Sequence, residues 1–140
     1  MAESTEAGLT FGTHNKEIPL VYPIKKDGTR KKIGKGDFVI GPSKIKEMKL
    51  TEGIAEYCVT GYVRFLDDGI NRISTLMREG YDYLEVEFFS NYFKDQKKIR
   101  FEIVNIEGIE EGRLIAGYDV VTLNIVQYPA YSNLQVWKVS

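Results

Sequence analysis

A chain of 140 residues has the size of one domain and can bury a core of its own. Hydrophobic residues make up 43% and charged residues 28%, which excludes a disordered chain, and no apolar run nears the ~20 residues of a membrane-spanning helix. With 19 basic and 20 acidic residues the formal net charge is −1, so the overall basic footprint of a nucleic-acid binder is absent.

Residues 1–17 carry few large apolar groups and include Gly8, Gly12 and Asn15. They read as an arm, flexible or ordered by a partner, ahead of a β-barrel domain spanning 18–140. Met1 to Thr10 is acidic and lacks the basic and apolar regions of a signal peptide, which places synthesis in a cytoplasm. Between Ile18 and Ile24, Pro19 and Pro23 have no N–H to donate, so a strand here belongs at a sheet edge. Asp27-Gly28 supplies the positive φ angles of a tight turn. Residues 18–36 therefore form a hairpin bearing Lys25, Lys26, Arg30, Lys31, Lys32 and Lys35. Gly34, Gly36, Gly41 and Pro42 punctuate the next stretch around a short Phe38-Val39-Ile40 strand.

From Lys44 to Leu50 the apolar Ile45, Met48 and Leu50 stand among lysines and a glutamate. Ile54 to Phe65 is rich in Tyr, Val, Thr and Phe and reads as a long strand, with Gly61 as a bulge or kink. The period then changes. Asp67-Asp68-Gly69 precedes Ile70, Ile73, Leu76 and Met77 on one helical face, and Gly80 closes the run. That pattern predicts a helix of about three turns over about 69–79.

After the helix the strands resume. Leu84, Val86 and Phe88 oppose Tyr83, Glu85, Glu87 and Phe89, and Ile99, Phe101 and Ile103 alternate with Arg100, Glu102 and Val104. Val121, Leu123 and Ile125 follow, then Leu134 and Val136. One apolar and one mixed face per strand describes an antiparallel sheet curled around a single core. The mixed faces still hold Phe89, Val104, Val126, Trp137 and Val139, which calls for a second cover: the helix or a neighbouring subunit.

Chemistry is sparse. His14, the only histidine, lies in the proposed arm, and Cys58 is the only cysteine, so no internal disulfide, multi-histidine metal site or histidine-dependent triad is expected. Cys58 lies in an apolar run and reads as a buried small hydrophobe. Gly34-Lys35-Gly36-Asp37 is too short for a phosphate loop and no helix follows it. Asp67 and Asp68 read as a helix cap, and Glu107, Glu110 and Glu111 as a solvated turn. No catalytic residue, cofactor or metal is expected. The basic cluster has two readings: a solvated hairpin tip, or a contact for an acidic partner or a phosphate backbone. Tyr57, Tyr62, Tyr83, Tyr118, Tyr128 and Tyr131 lie in or beside strands, suited to core packing or to an interface, and nothing spaces them for base stacking.

A pattern of segments then stands out. Ile45-Lys-Glu-Met48, Glu56-Tyr-Cys-Val-Thr-Gly-Tyr-Val-Arg-Phe65, Leu66-Asp-Asp-Gly-Ile-Asn-Arg-Ile73, Gly80 and Tyr83-Leu-Glu-Val-Glu-Phe-Phe-Ser90 lead to a closing segment, Tyr131-Ser-Asn-Leu-Gln-Val-Trp-Lys-Val-Ser140. Together they resemble the first barrel domain of baseplate hub proteins in contractile-tailed bacteriophages. The likeness covers residues 44–140; the first 43 residues fall outside it, and hub proteins are usually much longer. It implies a tail-tube-like antiparallel β-barrel, of the kind shared by phage tube proteins, hub proteins and the spike of type VI secretion machines, set in a ring around a channel. The implied partners are copies of the chain, as trimer or hexamer, and neighbouring tail or baseplate proteins. DNA enters only as cargo through the channel, and the place of action is the virion. On this reading Tyr57 to Phe65 and Tyr83 to Ser90 line the inner wall. The expected subunit contacts are Lys25, Lys26, Arg30, Lys31 and Lys32 of the hairpin, with Tyr62, Phe89 and Trp137. The alternative is a monomeric β-barrel module that binds a peptide, a glycan or a nucleic acid.

Overall fold

Strand alternation resolves into one main antiparallel sheet in the computed structural model, which describes residues 6–12, 18–53, 58–67, 72–88, 98–107, 114–115 and 118–128. The elements are β1 (Glu6–Gly12), β2 (Leu20–Ile24), β3 (Lys32–Ile33), β4 (Gly36–Asp37), β5 (Ile45–Gly53) and β6 (Cys58–Asp67). Then come α1 (Ile73–Arg78), β7 (Tyr83–Glu87), β8 (Lys98–Glu107), β9 (Leu114–Ile115) and β10 (Tyr118–Gln127). The main sheet runs β1-β5-β6-β10-β8-β7-β2, with β9 paired to the start of β10, while β3 and β4 form a small separate ribbon. The expectation of a mainly β, barrel-like antiparallel fold with one short helix is met: the sheet curls into a half-barrel.

Period-two alternation is what makes the sheet one-sided. Met48 and Leu50 of β5, Val63 and Phe65 of β6 and Leu123 and Ile125 of β10 point into one core. Phe101 of β8, Leu84 and Val86 of β7 and Val21 of β2 meet them there. Each such side chain gains about 1.5–3 kcal/mol from leaving water, which is why the sheet closes over this face. The pairing register shifts between Ile45 and Glu47 in β5, and between Asn124 and Ile125 opposite β8. Bulges of this kind bend a strand and sharpen its twist, so they supply the curl.

Several expectations need correction. Within the arm expected over 1–17, Glu6–Gly12 is instead an edge strand, paired with β5 from Glu6↔Gly53 to Gly12↔Glu47. No bulge falls at Gly61, which pairs in register with Leu50 and Ile125. What requires glycine there is proximity: a Cβ would stand 1.9 Å from the Lys49 carbonyl oxygen. Phe38-Val39-Ile40 is not a strand; only Ile40 bridges to Val21. The helix is six residues long rather than three turns, and Arg72 precedes it without a side-chain cap. Its first turn is held from the strand instead, where both carboxylate oxygens of buried Asp67 accept from the Ile73 N–H at 3.1 and 3.2 Å.

The helix end follows the expected pattern. Gly80 takes φ +101°, the Gly80 N–H bonds the Met77 carbonyl at 3.0 Å and the Tyr81 N–H bonds the Leu76 carbonyl at 2.9 Å. Ile73 then reaches the main core, with Met77 packed against it, so the helix covers the core beside the end of β6. The expectations for His14, Tyr57, Asp68, Ile70, Phe89, Tyr131, Trp137 and the closing segment lie outside the described residues.

Replacing Gly61 with Ala should destabilise the fold by about 3 kcal/mol through this backbone clash, read as a lower urea midpoint. Gly36→Ala, where a Cβ meets nothing within 4 Å, should stay within about 0.5 kcal/mol of the parent.

Candidate assembly surface

The basic hairpin begins with a turn whose geometry is local. The Gly28 N–H bonds the Lys25 carbonyl at 2.8 Å and the Lys25 N–H bonds the Thr29 carbonyl at 2.9 Å, with Gly28 at φ +95°. This is a three-residue turn over 26–28 rather than a two-residue Asp-Gly turn, with Gly28 in the left-handed position. Asp27 fixes it by accepting from the Thr29 N–H at 2.9 Å and from the Thr29 hydroxyl at 2.7 Å.

Beyond the turn the chain folds back over the sheet. Tyr22 of β2, Glu85 of β7 and Arg100 of β8 stand in one cross-strand row on the face away from the core. Arg30 lies across that row. Its guanidinium sits 3.7 Å from the Tyr22 ring centroid. It donates to Glu85 Oε1 from Nη2 at 2.6 Å and from Nε at 3.1 Å, and to Asp37 from Nη1 at 3.0 Å. Arg100 Nε takes the other Glu85 oxygen at 3.2 Å, and its guanidinium packs on the backbone of Gly28. Glu85 is 7% exposed. Burial pushes its carboxyl up, but the bonds from Arg30 and then Arg100 outweigh that and hold it below the ordinary 4.5.

The lysines of the cluster are engaged in the same way. Lys31 pairs with Glu79 at 3.1 Å, and Lys32 pairs with Asp37, whose carboxyl is held down first by Lys32 and then by Arg30. Lys25 and Lys31 approach the Tyr81 ring at 5.2 and 5.5 Å, and Lys26 the Tyr128 ring at 5.8 Å. Tyr128 leans on Tyr83 with ring centroids 5.1 Å apart. Apart from Lys35, the local basic run is thus met by acidic and aromatic groups from β4, the α1–β7 region and Tyr128 after β10.

The second face of β7 is consequently closed. An open polar face lies instead across β5, β6, β10 and β8, where Lys49, Tyr62, Asn124 and Asn105 form one row and Glu47, Arg64, Thr122 and Glu107 the next. Tyr62 is half-buried there, its hydroxyl shifted up by burial and then by its bond to Glu47. Asn124 donates to Asn105 at 2.9 Å across the same face.

Of the expected contact residues, Lys25, Lys26, Arg30, Lys31 and Lys32 therefore gather on the hairpin side, and Tyr62 stands apart on the open face. The sequence reading did not single out Glu85, Arg100, Asp37 or Tyr22 for this cluster. Glu85 on a face shared with Tyr83 and Phe89 was the available signal. Compared with protein-family models, curated proteins and solved structures, the chain matches none. Among the described residues no group of three or more His, Cys, Asp or Glu is placed to hold a metal, and no helix is long and apolar enough to cross a membrane. The depression between α1 and residues 38–44 has room for about one water, too little for a small-molecule ligand.

Glu85→Gln should cost about 2 kcal/mol at neutral pH, because three charge-assisted bonds from two arginines weaken together. A carboxyl lowered by folding stabilises above its unfolded pKa and stops doing so as pH falls through its folded value. The gap between parent and variant should therefore be full above pH 4.5 and close below it, checked by urea unfolding at stepped pH.

Proposed function

We propose that this chain is a structural subunit of a phage tail or baseplate, a barrel-like piece that assembles with its own copies into a ring. The observation that carries the reading is the asymmetry of the two sheet edges. At one edge, β2 contains Pro23, and residues 30–40 lie along it: Ile40 and Val21 exchange bonds of 2.8 and 3.4 Å, and the Lys31 N–H bonds the Pro23 carbonyl at 3.2 Å. At the other edge, all seven residues of β1 pair with β5, and no described strand lies on its far side. A long open edge is a template for another chain's backbone, and one edge sealed while the other is open favours directed association over random aggregation.

In the ring, the polar face over β5, β6 and β10 lines the channel, since the second face of β7 is occupied by the chain's own hairpin. That face mixes Lys49 and Arg64 with Glu47 and the uncharged Tyr62 and Asn124, as suits a wall that must not bind its cargo tightly. The function asks for no catalytic step, only geometry, and sets the chain in the virion beside other tail or baseplate proteins. A second reading rests on the same edge: an extended peptide adding a strand to β1. Nucleic-acid binding through the hairpin is disfavoured, because Arg30, Lys31 and Lys32 already carry carboxylate partners.

Sedimentation velocity over a concentration series, with negative-stain images, tests the proposal. Rings or stacked rings are expected. A monomer at every concentration, with or without neighbouring baseplate proteins, removes it, and tight DNA binding in a salt-stepped gel shift overturns the account of the hairpin.

A further inference from the structure

Pairing of β1 with β1 of another copy is isologous and stops at a dimer, so a ring needs a head-to-tail contact between two different patches. Among the described residues two large hydrophobic side chains are exposed, Ile33 at 46% and Val104 at 58%. Their surroundings are opposite. Ile33 ends β3 at the tip of the small ribbon, where Gly34 turns the chain at φ +62°, and it is flanked by Lys32 and Lys35. The Lys32 side chain is 63% exposed even while paired with Asp37, and Lys35 makes no ion pair with a described residue.

Val104 is the extra residue of the bulge in β8: Asn124 pairs with Asn105 and Ile125 with Ile103, which leaves Val104 without a partner residue opposite it. It stands between exposed Glu102 and Glu107, neither of which has an ion-pair partner among the described residues. Bulges commonly re-aim a side chain, and here the result is an apolar residue with acidic neighbours.

We propose that the Lys-flanked Ile33 tip of one copy docks on the Glu-flanked Val104 patch of the next. The inference rests on the ring reading above and names its second contact. Apolar surface meets apolar surface, Lys32 and Lys35 face Glu102 and Glu107, and the two patches lie on different parts of the chain. The contact is therefore heterologous and propagates in one direction.

Ile33→Asp and Val104→Asp should each raise the concentration for half-assembly at least tenfold in sedimentation velocity, with unchanged thermal unfolding of the monomer. Lys32→Glu/Lys35→Glu and Glu102→Lys/Glu107→Lys should each assemble poorly alone, while an equimolar mixture recovers assembly because every tip then meets a patch of opposite charge. In a Cys58→Ser background, mixing Ile33→Cys chains with Val104→Cys chains should give a dithiol-specific cross-link between them. If the parent assembles but the Asp variants assemble equally well and no cross-link forms, this contact is wrong and the ring reading stands. A parent that is monomeric throughout overturns both.

Discussion

A carboxylate that is 7% exposed has to be matched by positive charge, and Glu85 draws it from two places at once: Arg100 on the neighbouring strand and Arg30 on the hairpin. Arg100 arrives with the sheet register. Arg30 arrives only if the chain after the Lys25–Thr29 turn lies down on the sheet. The pairing of one buried charge therefore decides the course of residues 30–40, and with it two larger features. The second face of β7 is covered, and the β2 edge gains the bonds from Ile40 and Lys31. The Tyr22 ring under the guanidinium and the Asp37 carboxylate beside it leave Arg30 few other positions.

How far this was legible in the sequence depends on the range of the interactions. Alternation is local, so the faces of β7, β8 and β10 could be read, as could the edge position implied by Pro19 and Pro23. The stripe of Ile73, Leu76 and Met77 with Gly80 after it identified the helix. Its length was overestimated because Asp67, which belongs to β6, holds the first turn across the strand end. β1 was missed because Gly8 and Gly12 dilute Leu9 and Phe11 in a window of seven residues. The need for glycine at position 61 comes from a carbonyl on a different strand, and no local pattern encodes it.

The hairpin shows the same limit with charge. Read alone, residues 25–35 are a basic run, and a basic run suggests an acidic ligand. Apart from Asp37, its neutralising groups lie far along the chain: Glu85 is 55 residues from Arg30, and Glu79 is 48 residues from Lys31. A local excess of one sign is thus weak grounds for an external partner until the sheet register is known. At the tip of the ribbon Lys35 has no ion-pair partner among the described residues, and Lys32 stays largely exposed beside Asp37, so these two keep charge for something outside the chain.

In the proposed ring, sealing β2 has a consequence for how copies meet. With both edges open, β1 could add to β2 of the next copy, and sheets would extend without a fixed stop, as in aggregates. With β2 occupied by residues 30–40, backbone pairing at β1 has to end on a partner's β1 or on another protein's strand. Side-chain contacts must then supply direction. Arg30 ties the covering segment to Glu85, and the β3–β4 tip belongs to that same segment, so in the proposed ring the stretch that closes one edge also presents the tip. Loss of the Arg30–Glu85 pairing would remove the charged link between the hairpin and β7, leaving the backbone bonds of Ile40 and Lys31 to hold residues 30–40 on the β2 edge.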